Sequence, residues 1–356
     1  MRWLHRVRLV AGCVALAMLF AVAPASARFL PNVPSEFEAS LVIGGIRQHV
    51  LVRGPANAPL LVIVHGGPGV NENPLYRQYV PQLESAYQVV YWEQRGTGRS
   101  LPPGMPRQTL DIPQFVSDLG ELVSLLTRKY KQDKVVLLAH SWGTIPAALY
   151  VREHPERIAA YVAIGPMVDV PASEREGWQW ARDSAVAAGD AKALKALDRI
   201  GPPPHDVDAM LVSRKWVERF GGAFHQPMRT RTLLFTAMKD NKIGIPDLVL
   251  FGRGNHVSLD ALWPGIRDFR LPVQGPWDMP VAFLLGDHDH VTSTAVARTY
   301  FDAMDAPCKR WVAFPGSAHN PPYEEPESFA RFMLEQLPGW TRDCTASQAG
   351  APQETR

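Results

Sequence analysis

Residues 135–143, VVLLAHSWG, constrain the fold more than any other stretch: five apolar residues run straight into His140-Ser141-Trp142-Gly143. An apolar run of that length, entered from the polar residues 131–134, predicts a buried parallel strand, and residues 145–154 predict a helix. Ser141 then stands on the turn between them. A sharp strand-to-helix turn holds a serine hydroxyl out over the carboxyl edge of a sheet, and the helix N-terminus favours negative charge developing there. A surface serine in any strand–helix turn has the same local pattern, so the weight falls on what the chain brings to that edge.

Upstream, residues 37–43 and 47–52 alternate apolar and polar around Gly44-Gly45, which predicts an antiparallel hairpin at one edge of a sheet. Leu60–Val64, LLVIV, reads as a buried strand ending on His65-Gly66-Gly67-Pro68-Gly69. Glycines around a proline cannot continue a strand, but they can turn a backbone N–H outward at its carboxyl end. Residues 76–83 predict a short helix and Gln88–Trp92 a strand that ends on EQRGTGRS, residues 93–100. That loop lacks the spacing of a phosphate-binding glycine loop. Phe115, Leu119, Leu122, Val123 and Leu126 recur at helical spacing, so Ile112–Tyr130 packs on the sheet. With a further strand at Ile158–Ile164, the rhythm predicts an α/β fold, a mainly parallel sheet covered by helices on both faces.

At Gly165-Pro166 the rhythm breaks. Residues 165–276 carry helical patterns at 174–188, Ala191–Ile200, Val207–Phe220 and 230–238, with no buried strand run, and read as a helical cap. The core, 28–164, resumes over 277–340 with a strand at 281–285, and 341–356 reads as a loose polar tail.

A serine nucleophile needs an imidazole to take its proton and a carboxylate to orient that imidazole, in the chain order Ser, acid, His on a sheet of this kind. The strand at 281–285 ends on Gly286-Asp287-His288-Asp289-His290, where Asp289 is the expected acid and Asp287 the second choice. Four adjacent ligands rarely converge on one ion, so a metal site there is disfavoured. The last strand, Lys309–Phe314, leads to Gly316-Ser317-Ala318-His319, and His319 is the expected base.

With these motifs assembled, the chain resembles an α/β-hydrolase of the proline iminopeptidase family, the serine aminopeptidases. The resemblance rests on HGGPG at 65–69, EQRGTGRS at 93–100, AHSWG at 139–143, the acid loop at 286–292 and GSAHNPPYEEPESF at 316–329. It implies catalysis by Ser141, Asp289 and His319, with an oxyanion hole from the backbone N–H groups of Gly67 and Trp142, and no metal or organic cofactor. It also implies that cap carboxylates hold the substrate's α-ammonium; Glu218 is the best candidate, with Glu174 and Glu176 behind it. The cap would form a lid whose aromatics, Trp178, Trp180, Phe220, Phe224 and Trp263, shape the pocket. Two positions depart from the family's usual pattern, Glu93 where Asp is common and Ala139 where Gly is common. The expected activity is removal of an N-terminal residue from a small peptide; a carboxylesterase, or a binder without catalysis, are the alternatives.

Residues 1–27 are set apart, with Arg2, Arg6 and Arg8, then an apolar run at 9–22, then Ala25-Ser26-Ala27. This reads as a signal peptide cleaved after Ala27, the run being shorter than the roughly 20 residues of a spanning helix, which leaves no stable membrane anchor. The mature protein is then expected to be periplasmic or secreted, with only Cys308 and Cys344 left, open to a disulfide or to two thiols. Cys308 lies just before the last strand and Cys344 just after a helical pattern at 325–337 that packs back along it, so a bridge is expected. A formal net charge of +2 offers no polyanion-binding surface, which argues against a nucleic-acid partner.

Overall fold

The computed structural model describes residues 35–225, 230–239, 245–275 and 277–349; the expected signal segment lies outside them. The chain starts as a hairpin, β1 (Ser35–Ile43) and β2 (Ile46–Gly54), and then alternates: β3 (Leu60–Val64), α1 (Asn73–Tyr79), β4 (Gln88–Trp92), α2 (Ile112–Tyr130), β5 (Val135–His140), α3 (Thr144–Glu153) and β6 (Ile158–Ile164). The cap helices α4 (Val170–Ala187), α5 (Ala191–Ile200), α6 (Val207–Phe220), α7 (Thr230–Ala237) and α8 (Ile245–Arg267) follow. The chain then returns to the sheet through β7 (Val281–Gly286), α9 (Thr294–Ala303) and β8 (Lys309–Phe314), and closes with α10 (Pro321–Glu324), α11 (Pro326–Arg331) and α12 (Leu337–Ala349).

The eight strands lie in the order β1-β2-β4-β3-β5-β6-β7-β8, antiparallel only where β2 meets β1 and β4. Each central strand is buried on both faces because its side chains alternate between two apolar layers. In β3, Leu60, Val62 and Val64 join the layer of α2, α3 and α9, while Leu61 and Ile63 join the layer of α1, α11 and α12. The long α2 starts on Asp111, whose carboxylate caps the Gln114 N–H at 2.8 Å, a contact that satisfies one of the orphan donors of the first turn. Ala139 packs fully buried within the first layer, so the methyl that distinguishes it from glycine is accommodated.

Two elements differ from expectation. Helix α8 gives no clean apolar period because Gly252, Gly254 and Pro264 interrupt it, yet it runs as one helix with Pro264 inside. The tail expected to be loose from 341 is helical to Ala349. Pro338 and Gly339 read as a helix stop, but a π-turn at Phe332–Gln336 carries the chain past them. In that turn the Met333 carbonyl would meet residue 338, and proline has no N–H to offer. The Tyr87 hydroxyl donates to it instead, at 2.7 Å. Cys344, on α12, is disulfide-bonded to Cys308 at the foot of β8, with Cα atoms 5.9 Å apart, inside the range a disulfide spans.

Candidate active site

Ser141 follows the last residue of β5 and is itself half-buried, with φ +51°, the left-handed region that costs a non-glycine residue about 1–3 kcal/mol. The turn is held from both sides. Thr144 Oγ1 donates to the Ser141 carbonyl at 2.6 Å and accepts the Met167 N–H at 2.9 Å. Gly143 must be glycine, since a Cβ there would stand 2.1 Å from the Val64 carbonyl oxygen and 2.6 Å from that of His65. The same contact brings the elbow against the HGGPG loop, so the residues following β3 and β5 meet at one edge, as the Val64–Ala139 register requires.

Asp289 and His319, 30 residues apart, are brought together: His319 Nδ1 donates to Asp289 Oδ2 at 2.8 Å. The Val291 and Thr292 N–H groups donate to Asp289 Oδ1 at 2.8 and 3.0 Å, and the Thr292 hydroxyl donates to Oδ2 at 2.8 Å. Burial alone would push this carboxyl up, but His319 and the Thr292 donors outweigh it and hold it well below the usual carboxylate range. With Nδ1 committed to Asp289, the Nε2 of His319 is left for the serine. Asp287 is exposed and the loop's other side chains diverge: His288 stacks on His225 with ring centroids 3.5 Å apart, and His290 Nδ1 bonds Glu176 at 2.8 Å. Among the described residues, no group of three potential ligands surrounds a metal position.

The sequence motifs beside the elbow brace it. His65 is fully buried; its Nδ1 donates to the Gly66 carbonyl at 2.8 Å and its Nε2 accepts the Gln94 N–H at 3.2 Å. Burial pushes its pKa down, so it is a neutral imidazole. Gln94 in turn spans two loops: its amide donates to the His65 carbonyl at 2.6 Å and accepts the Trp142 indole N–H at 3.1 Å. Gly67, at φ +122°, and Trp142, the candidate oxyanion donors, thus sit on two loops braced by one glutamine. Arg95 makes a buried pair with Asp118 at 2.8 Å, tying the β4 loop to α2. Glu93, the departure from Asp, accepts the Arg99 N–H at 2.6 Å.

The cap is stitched to these loops. Beyond α6, the Gly222 carbonyl accepts the His290 N–H at 3.0 Å, and the Ala223 carbonyl accepts the His319 N–H at 3.2 Å and the Asn320 amide at 2.9 Å. Asn255, on α8, donates to the Pro68 carbonyl at 2.8 Å. Glu218 is half-buried in the last turn of α6, next to that Gly221-Gly222 turn. Glu174 is buried and ion-paired with Arg214. Of the cap aromatics, Trp180 stacks on His290 at 4.0 Å, and Phe224 and Trp263 are buried.

Two residues escaped the sequence reading. Glu72, just ahead of α1, accepts the Gly66 N–H at 2.7 Å and faces His140 Nδ1 at 3.0 Å. His140, quoted only as part of the serine motif, puts its Nε2 3.0 Å from the His319 carbonyl oxygen. A charged pair formed across 68 positions leaves no local pattern to read.

Known proteins agree with this architecture. Residues 59–196 match the alpha/beta hydrolase fold family. A probable aminopeptidase of Bacillus subtilis, YbaC, is 31% identical over 298 residues, covering 82% of this chain and 93% of its own. The proline iminopeptidase of Clostridioides difficile is 26% identical over 78% of this chain and 89% of its own. Among solved structures, the proline iminopeptidase of Mycobacterium smegmatis superposes with a TM-score of 0.60 at 17% identity, over 87% of this chain and 99% of its own, a likeness of fold. The sheet order, the serine turn and a relative aligned across most of both lengths lead to one conclusion: the chain belongs to the proline iminopeptidase family of α/β-hydrolases.

Proposed function

We propose that this enzyme is an exported aminopeptidase that works by acyl transfer through Ser141, His319 and Asp289. The observation that carries the reading is the His319–Asp289 bond at 2.8 Å, on loops at the same sheet edge as a strained Ser141. In the reaction, Ser141 Oγ attacks the scissile carbonyl carbon while His319 Nε2 takes its proton. The oxyanion is received by the Gly67 and Trp142 N–H groups, one such donor being worth about 3–4 kcal/mol in comparable sites. The proton passes from His319 to the leaving amine, and water then attacks the acyl-enzyme by the same route in reverse. Asp289, ionised throughout, keeps the imidazole in the required tautomer.

An aminopeptidase must also hold a free α-ammonium beside the carbonyl, and a partly dry pocket needs a carboxylate to offset its desolvation. Amine recognition is assigned to Glu218, in the last turn of α6 beside the Gly222 and Ala223 carbonyls that bond the acid and base loops. Aminoacyl anilides and short neutral esters, compared on wild type and Glu218→Gln, test this. The aminopeptidase reading expects the anilides to be turned over, and Glu218→Gln to raise their KM about tenfold while leaving ester kinetics within about twofold, in line with one charge-assisted bond. Turnover of esters alone would make the enzyme a carboxylesterase, and equal effects on both substrates would remove Glu218 from the site.

Export is supported by the basic start, apolar run and Ala25-Ser26-Ala27 of the sequence, and by the Cys308–Cys344 bridge, a bond that persists in oxidising compartments. Closing a loop across 36 positions, the bridge is expected to stabilise the fold by about 2–4 kcal/mol, read as the loss in denaturant unfolding of Cys344→Ser. Non-reducing mass spectrometry of the fractionated protein should find a chain beginning at Arg28 without free thiols outside the cytoplasm. A cytoplasmic chain beginning at Met1 with Cys308 and Cys344 reduced would refute both.

A further inference from the structure

The Glu72–His140 pair takes no part in the reaction steps, yet it touches both halves of the machinery. Glu72 holds the loop that carries Gly67, through the Gly66 N–H at 2.7 Å, and its two carboxylate oxygens lie 3.1 and 3.0 Å from His140 Nδ1. On the far side of the ring, His140 Nε2 stands 3.0 Å from the His319 carbonyl oxygen, and the two imidazole centroids are 5.0 Å apart. Both partners of the His140 ring are acceptors, a carboxylate and a carbonyl. Both ring nitrogens must therefore carry hydrogen, which makes His140 an imidazolium paired with an ionised Glu72. Burial opposes charge on either group, but their attraction outweighs it: His140 is raised above, and Glu72 held below, its ordinary pKa. The other titratable groups facing this pair are His65 beyond β3, Asp289 and His319 on their loops, Tyr76 on α1, and Tyr323 on α10, whose ring is 6.3 Å from that of His140. Stability does not call for such a pair, since desolvating two charges offsets most of what their attraction returns. Position does.

We propose that Glu72 and His140 are positioning residues: one charged bridge that fixes the Gly66-Gly67 loop and the His319 loop at a set separation, so that the oxyanion donors and the general base address the same carbonyl. The proposal rests on the acyl-transfer reading of Ser141. It requires a doubly protonated His140, because a neutral ring can donate to only one of its two partners.

Glu72→Gln keeps the shape and removes the charge. The expected result is a fall in kcat of about 10- to 100-fold with KM within about threefold, as when a reacting group is misplaced by a fraction of an ångström to one ångström. The alkaline limb of the kcat/KM profile should also move to lower pH, because His140 loses the carboxylate that kept it protonated. Glu72→Asp should lower kcat but leave that limb in place, and it carries the test if Glu72→Gln fails to fold, as judged by circular dichroism and Tm. The rate at which a fluorophosphonate labels Ser141 should fall by the same factor as kcat, whatever the natural substrate. Wild-type protein that labels but hydrolyses no aminoacyl substrate would sink the aminopeptidase reading while the labelling rates still test the bridge. Labelling rate and alkaline limb both unchanged in folded Glu72→Gln would overturn the proposal, as would a KM effect at constant kcat. A wild type that takes no label would overturn the acyl-transfer reading and the bridge together.

Discussion

Ser141→Ala and His319→Ala are each expected to lower kcat by about 10⁴- to 10⁶-fold on every acyl substrate, with the double variant no worse than either alone, because on the acyl-transfer reading nucleophile and base act as one unit. The fold should survive both changes. Ser141 is half-buried on a turn whose geometry is set by the Thr144 hydroxyl and by Gly143, and His319 lies outside the apolar layers. Steady-state kinetics with matched circular dichroism checks this. Either single variant retaining more than about one hundredth of wild-type kcat would exclude the residue from the chemistry, since loss of a nucleophile or base costs orders of magnitude more.

Asp289→Asn is expected to cost about 10⁴-fold in kcat, as an amide cannot hold the imidazole in the tautomer whose Nε2 accepts the serine proton. Here a loss of stability should accompany it. The Asp289 oxygens accept four donors, from Val291, Thr292 and His319, and an amide NH₂ turned toward any of them leaves a buried donor unmet, at about 1–3 kcal/mol. Because the folded pKa of Asp289 is depressed, its contribution to stability is present above the unfolded carboxyl pKa of about 4 and is lost as pH falls below it. Asp289→Asn should therefore flatten the acid limb of stability against pH, measured by denaturant titration between about pH 5 and pH 2. Asp287→Asn, on an exposed side chain, should stay within about twofold of wild type in kcat, the usual range for a surface change. A larger effect from Asp287→Asn than from Asp289→Asn would reverse the assignment of the acid.

The sequence by itself determined the sheet and the order of its functional loops. Buried strands such as LLVIV and VVLLAH are apolar on both faces, and the Gly-rich, Ser and His loops can follow only where a strand ends, so fold and loop positions were legible from local pattern. Helix α8 was not, because glycines and a proline blur the 3.6-residue period, and its place is fixed by contacts such as that of Asn255 with Pro68. The end of α12 was hidden by Pro338, whose missing N–H is made good by a tyrosine about 250 residues away. Tertiary structure alone decided what charges what. It set Glu174 against Arg214 and Glu72 against His140, and it brought Asp289, the acid expected from the sequence, against His319. The physical reason is common to all three. Secondary structure is written in neighbours three or four positions apart, whereas the charge state of a buried carboxylate or imidazole depends on which distant group shares its low-dielectric surroundings.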